Sequence, residues 1–131
     1  MRYLADILLS FPCFVSGQDM SLAFKGSATI TSVSDASGTI TLNCNSQSQK
    51  SFYVILTGTG RTVTLSNAVQ NGVYTLQIFQ DATGSRTITT WTNGKYPGQT
   101  IPTQTSAANS QDMAVITYKN GYYYIHYNNN Y

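Results

Sequence analysis

Gly72-Val73-Tyr74-Thr75-Leu76-Gln77-Ile78-Phe79 opens a stretch that runs to Gly121-Tyr122-Tyr123-Tyr124-Ile125-His126-Tyr127, and its pattern decides the fold. Tyr74, Leu76 and Ile78 fall on one side of an extended chain; Thr75, Gln77 and Phe79 fall on the other. A period of two predicts half-buried strands rather than helices. Asp81-Ala82-Thr83-Gly84-Ser85, Asn93-Gly94, Pro97-Gly98 and Lys119-Asn120-Gly121 separate the runs, and these are residues that stabilise turns.

The pattern extends upstream. Ala28 and Ile30 alternate with Thr29 and Thr31, Ile40, Leu42 and Cys44 alternate with Thr39, Thr41 and Asn43, and Arg61-Thr62-Val63-Thr64-Leu65 alternates cleanly. Phe52-Tyr53-Val54-Ile55-Leu56 is an unbroken apolar run, expected of a strand covered on both faces. Asn71-Gly72 and Asn120-Gly121 are strong tight-turn signals of the hairpin kind. About eight short strands spaced by turns predict an all-β domain over residues 26–131, an antiparallel β-sandwich with a jelly roll as one form. No internal repeat is read, although threonine-rich strands give a superficial sense of one.

Composition narrows the function. The chain has 131 residues, enough for one domain, and 41% of them are hydrophobic. Only 9% are charged, against roughly 25% in ordinary soluble proteins, so neutral Ser, Thr, Asn and Gln must carry the hydration. The basic residues Arg2, Lys25, Lys50, Arg61, Arg86, Lys95 and Lys119 are spread singly, and a nucleic-acid footprint would cluster them. Cys13 and Cys44 have no metal-ligand spacing and are expected to be two free thiols.

Residues 1–25 differ from the rest. Met1 to Gly17 has the outline of a signal peptide, but Asp6 interrupts its apolar part, and Pro12 stops any helix short of a membrane span. The segment is therefore expected to be an attachment arm that buries Ile7, Leu8, Leu9, Phe11 and Phe14 on another protein or subunit.

Catalytic chemistry is thinly represented. Glycoside hydrolysis needs two carboxylates, and Asp81 with Asp112 is the pair to check; two loop-capping aspartates are the plainer reading. His126 is the single histidine and sits in a tyrosine-rich strand, where hydrogen bonding or stacking is expected rather than a base role. No catalytic residue, metal site or cofactor is expected.

Aromatic side chains are the one rich resource, with ten tyrosines, five phenylalanines and one tryptophan. Tyrosine gives a large contact area with a polar tip at low entropic cost. Tyr122, Tyr124 and Tyr127 are therefore candidates for an oligomer or docking interface, and Trp91, Tyr96 and Tyr123 for stacking on a ligand such as a glycan.

Tyr74 through Gln80-Asp81-Ala82-Thr83-Gly84-Ser85-Arg86 to Thr89, then Trp91, then Lys95-Tyr96-Pro97-Gly98, then the loop to Asp112 and the closing Tyr118-Lys119-Asn120-Gly121-Tyr122-Tyr123, resemble a module of tail-fibre, spike and head-decoration proteins of tailed bacteriophages. The resemblance covers somewhat under half the chain; it does not extend to the first 25 residues, and no fibrous shaft is present. It implies a non-enzymatic virion structural protein made in the host cytoplasm. It also implies a homo-oligomer, a trimer above all, and contact with the host surface, where a glycan is the expected ligand; the arm, read from its own residues, is then expected to dock on other virion proteins. The alternative from another class is a secreted carbohydrate-binding module, which predicts a cleaved leader and an exposed Trp91/Tyr96 face.

Overall fold

The computed structural model describes residues 29–129. The attachment arm expected over residues 1–25, with its apolar side chains and Cys13, lies outside the described residues. The described residues form nine strands: β1 (Ile30–Val33), β2 (Thr39–Asn43), β3 (Gln49–Leu56), β4 (Arg61–Ser66), β5 (Val73–Gln80), β6 (Ile88–Trp91), β7 (Gly94–Lys95), β8 (Gln111–Lys119) and β9 (Tyr122–Asn128). The described residues are all-β, with a single 3-10 turn among them at Pro97–Gln99.

The strands form a six-stranded sheet, ordered β1-β3-β5-β8-β9-β7, and a three-stranded sheet, ordered β2-β4-β6. From β1 to β6 the chain alternates between the two, so each odd strand and the even strand after it make one coil. Neighbours within a sheet are then strands of successive coils, and they pair in parallel: β1 with β3, β3 with β5, β2 with β4, β4 with β6. Parallel strands need a long crossover, and the strand laid into the opposite sheet supplies it.

The antiparallel pairing expected from the sequence holds for β5–β8 and β8–β9 only. The physical reason is that alternation reports which face a side chain takes, and that is the same in either direction of pairing. Asn120-Gly121 does make the β8–β9 hairpin, with both residues at positive φ (52° and 86°). Asn71-Gly72 makes a turn but no hairpin, because β4 and β5 lie in different sheets. That turn is held by Tyr74, whose hydroxyl accepts from the Val69 amide (3.0 Å) and donates to the Gln47 carbonyl (2.7 Å).

A repeat is also present where none was read. Ile30 pairs with Ser51, an offset of 21 residues; Gln49 with Val73, an offset of 24; Thr39 with Thr62, an offset of 23. The unequal offsets, and a bulge that puts Arg61 beside Ile88 but Thr62 beside Thr90, blur the period.

The inward residues of both sheets meet in one core. Ile40, Leu42, Val63, Leu65, Ile88 and Trp91 come from the small sheet; Phe52, Val54, Leu56, Tyr74, Leu76, Ile78, Ala114, Ile116 and Ile125 come from the large one. Each large aliphatic side chain buried this way contributes about 1.5–3 kcal/mol. Cys44 ends the inward row of β2 as a free thiol; burial, opposed weakly by Lys50 and Tyr74, raises its pKa to about 11.

Asp35 ties the first coil to the second. It is buried in the turn between β1 and β2 and accepts from the Thr57 amide (2.7 Å), the Thr57 hydroxyl (2.6 Å) and Arg61 Nε (3.0 Å). Burial alone would raise its pKa, but the Thr57 bonds and the Arg61 guanidinium outweigh that and hold it below the usual value. A depressed carboxylate stabilises the fold above its unfolded pKa and loses that contribution as pH falls through the folded one. Asp35→Asn should therefore lower stability by about 1–3 kcal/mol at neutral pH. In urea titrations the gap between wild type and variant should close as pH drops below about 4.

Candidate functional site

The outer faces of the two sheets differ in kind. The small sheet presents hydroxyls: Thr39 beside Thr62 beside Thr90, and Thr41 beside Thr64. Thr92, just past β6, closes the second row through a hydroxyl–hydroxyl bond to Thr64 (2.8 Å). No large apolar side chain stands outward on these strands.

The large sheet is apolar outside. Ile55 is 51% exposed and lies beside Phe79; Tyr53 crosses Phe79 edge-on with ring centroids 6.3 Å apart. The next row runs Tyr53, Gln77, Met113, Asn128, and the one after it Ser51, Thr75, Val115, His126. The last full row is Val73, Thr117, Tyr124, Lys95. Two corners therefore stand out, separated by Ser51, Thr75 and Gln77. One is an apolar groove of about 470 Å³ at Tyr53, Ile55 and Phe79, closed at its end by Ala82 and Asn109. The other is an aromatic and basic hollow of about 280 Å³ lined by Lys95, Tyr96, Pro97, Tyr124 and His126. By strand spacing and rise, Ile55 and Tyr124 stand roughly 25 Å apart.

The single tryptophan is not on either corner. Trp91 is 3% exposed, packed edge-on against Tyr127 at 6.0 Å. Its Nε1 is enclosed without a hydrogen-bond partner of ordinary geometry, and its interaction is with the neighbouring Tyr127 phenol. Tyr123, 7% exposed, points inward, with its hydroxyl 3.4 Å from the Leu65 carbonyl and its ring 4.9 Å from that of Tyr118. A sugar cannot stack on either, so the ligand role expected for Trp91 and Tyr123 is corrected: both fill the space where the small sheet stops and the large one continues. Tyr96 is half-buried and does line the hollow. Burial raises the pKa of its phenol, against a bond with the Trp91 backbone that lowers it.

Of the tyrosines expected at an interface, Tyr122 and Tyr124 point outward and are 44% and 41% exposed. Tyr127 turns the other way, accepts a hydrogen bond from Gln104 Nε2 (3.0 Å), and has a phenol pKa pushed upward mainly by burial. Alternation along β9 decides this split, odd residues inward and even ones outward. Ile55, Phe79, Met113 and Lys95 were not singled out from the sequence. The unbroken Phe52–Leu56 run held the signal: its outward members, Tyr53 and Ile55, are left over once one face is buried.

The aspartates act as loop caps. Asp81 accepts from the Thr83 and Gly84 amides and pairs with Arg86 (2.9 Å). Asp112 accepts from the Thr105 amide and hydroxyl, each at 2.7 Å. Among the described residues no group of three or more His, Cys, Asp or Glu is placed to hold a metal, and no helix is long and apolar enough to cross a membrane.

Compared with known protein families, curated proteins and solved structures, the chain matches none.

The buried position of Trp91 has an optical consequence. Native emission should be blue-shifted and nearly insensitive to iodide, shifting red only on unfolding. Trp91→Ala should cost about 3–5 kcal/mol in chemical denaturation. An emission maximum typical of exposed indole in the native protein would contradict the placement.

Proposed function

We propose that this chain is a non-enzymatic structural protein of a tailed-phage virion, a small fibre, spike or head-decoration subunit that assembles as a homo-oligomer, with a trimer favoured. In this reading the two sheets stack as a sandwich, residues 1–25 are the arm that docks on other virion proteins, and the exposed end of the block meets the host surface.

The observation that carries the reading is the contrast between the outer faces. A threonine and asparagine surface hydrates well; an outward patch of Tyr53, Ile55, Phe79, Met113 and Val115, spread over three adjacent rows, does not, and monomers rarely leave such a patch bare. The strands β1, β3, β5 and β8, at about 4.8 Å spacing and about 3.3 Å rise per residue, give a face on the order of 450 Å², the scale of a small interface beside the ~800 Å² each partner contributes to a standard one. The outward side chains of β1, β3, β5 and β8 include no carboxylate and one charge, Lys119 at one end; at the other end Asp81 lines the groove, neutralised by its pair with Arg86. A copy of the same chain can therefore meet this face with little like-charge repulsion.

Light-scattering mass of the full-length protein tests the reading. The wild type should run as a whole-number multiple of the chain, three by preference. Ile55→Lys, which places a charge in the apolar corner, should weaken association by about tenfold or more. Thr64→Lys, on the threonine face, should leave the mass unchanged. A strictly monomeric wild type would contradict assembly through this face.

A further inference from the structure

We infer that the hollow formed by Lys95, Tyr96, Pro97, Tyr124 and His126 is a binding site for an acidic saccharide, a sugar ring carrying a carboxylate. This deepens the host-contact part of the reading above and rests on it for the biological setting; the binding chemistry stands on the hollow itself.

Three observations converge. The first is shape. At about 280 Å³ the hollow lies just under the usual range of ligand pockets, about 300 to 1,000 Å³, and suits one or two sugar rings better than a folded partner. The second is the aromatic lining. Tyr124 stands out from β9 and offers a ring for the C–H surface of a pyranose and a hydroxyl for its polar edge, while Tyr96, its hydroxyl turned back toward Trp91, frames the side with its ring. Both are set by backbone rather than by flexible loop: β7 pairs in parallel with β9, Gly94 beside Tyr123 and Lys95 beside Tyr124. Gly94 is part of that setting. A Cβ there would lie 2.7 Å from the Tyr96 hydroxyl and 2.8 Å from Trp91 Cβ, so only glycine lets the Tyr96 ring fold back over the strand.

The third is charge. Lys95 Nζ stands 4.4 Å from the centre of the Tyr122 ring, a cation–π contact that holds the ammonium at the rim of the hollow. The salt bridges found among the described residues belong to Arg61 and Arg86, leaving Lys95 without a carboxylate partner there. No acidic side chain lines the hollow, and His126 adds an imidazole whose ring nitrogens are able to hydrogen-bond. A single cation beside the Tyr96 and Tyr124 rings selects one negative charge on a sugar ring. A nucleic acid would require a track of cations along its backbone, and none is present on this corner.

The test is titration of the isotopically labelled full-length protein with digalacturonate, with maltose as the neutral counterpart and a short single-stranded oligonucleotide as the polyanion. Digalacturonate should shift the amides of Lys95, Tyr96, Tyr124 and His126 and bind about tenfold more tightly than maltose. Lys95→Gln, which keeps much of the stem and removes the charge, should abolish that preference, and Tyr124→Ala should abolish binding; Thr41→Ala, on the opposite sheet, should change neither. No shifts with digalacturonate, equal response to both sugars, unchanged binding by Lys95→Gln, or tighter binding of the oligonucleotide would each overturn the site. Mass and binding are separate readouts. A monomer that binds the acidic sugar keeps this inference and loses the assembly reading; an oligomer that ignores it does the reverse.

Discussion

The structure depends on the parallel register between β3 and β5. Eight residue pairs align, from Gln49 with Val73 to Leu56 with Gln80, and the alignment stacks Phe52 on Leu76 and Val54 on Ile78 inside the core. The small sheet follows the same rule with Ile40 on Val63 and Leu42 on Leu65. A slip of one residue would turn these side chains to solvent. Pairing successive coils in this way obliges the chain to cross to the opposite sheet each time; it passes from the large sheet to the small one at Asp35, Gly58-Thr59-Gly60 and Asp81, and returns through residues 44–48 and the Asn71-Gly72 turn. Asp35, Thr57 and Arg61 join two of those turns, so electrostatics and coil stacking reinforce one another at that end of the molecule.

The β8–β9 hairpin breaks the symmetry of the coil. It adds strands to the large sheet only, which leaves one sheet twice as wide as the other. Trp91, Tyr123 and Tyr127 fill the space beneath the overhang, and this accounts for the burial of three aromatic residues in a region the sequence leaves looking open. The overhang also carries Tyr122, Tyr124 and His126 outward, next to Lys95 on the two-residue strand β7. The apolar corner and the aromatic corner are thus products of different parts of the topology, the first of stacked coils and the second of the terminal hairpin. One surface can be covered by another copy while the other stays accessible.

Much of the local structure was legible. The strands at Thr39–Asn43, Arg61–Ser66 and Val73–Gln80 follow from alternation, and the β8–β9 turn follows from Asn120-Gly121, whose positive φ values a β-branched residue would resist. Pairing direction was not legible, because Thr-Ile-Thr and Thr-Val-Thr place their side chains identically beside a parallel or an antiparallel neighbour. The repeat was obscured by offsets that lengthen along the chain and by the bulge at Arg61/Thr62. For the site, period two assigned Tyr122 and Tyr124 to one face, but which face is buried depends on what lies opposite. Trp91 and Tyr123 were misplaced for that reason: their surroundings come from β9, β4 and the 104–112 loop, distant in sequence. Lys95 stands in the Lys95-Tyr96-Pro97-Gly98 stretch, but its place beside Tyr124 comes from the pairing of β7 with β9.

Inter-strand contacts in solution test the parallel coil most directly. Backbone nuclear Overhauser effects on isotopically labelled protein should connect Phe52 with Leu76, Val54 with Ile78 and Leu56 with Gln80, all advancing together along both strands. An opposed progression, in which Phe52 meets Gln80 and Leu56 meets Leu76, would contradict the account.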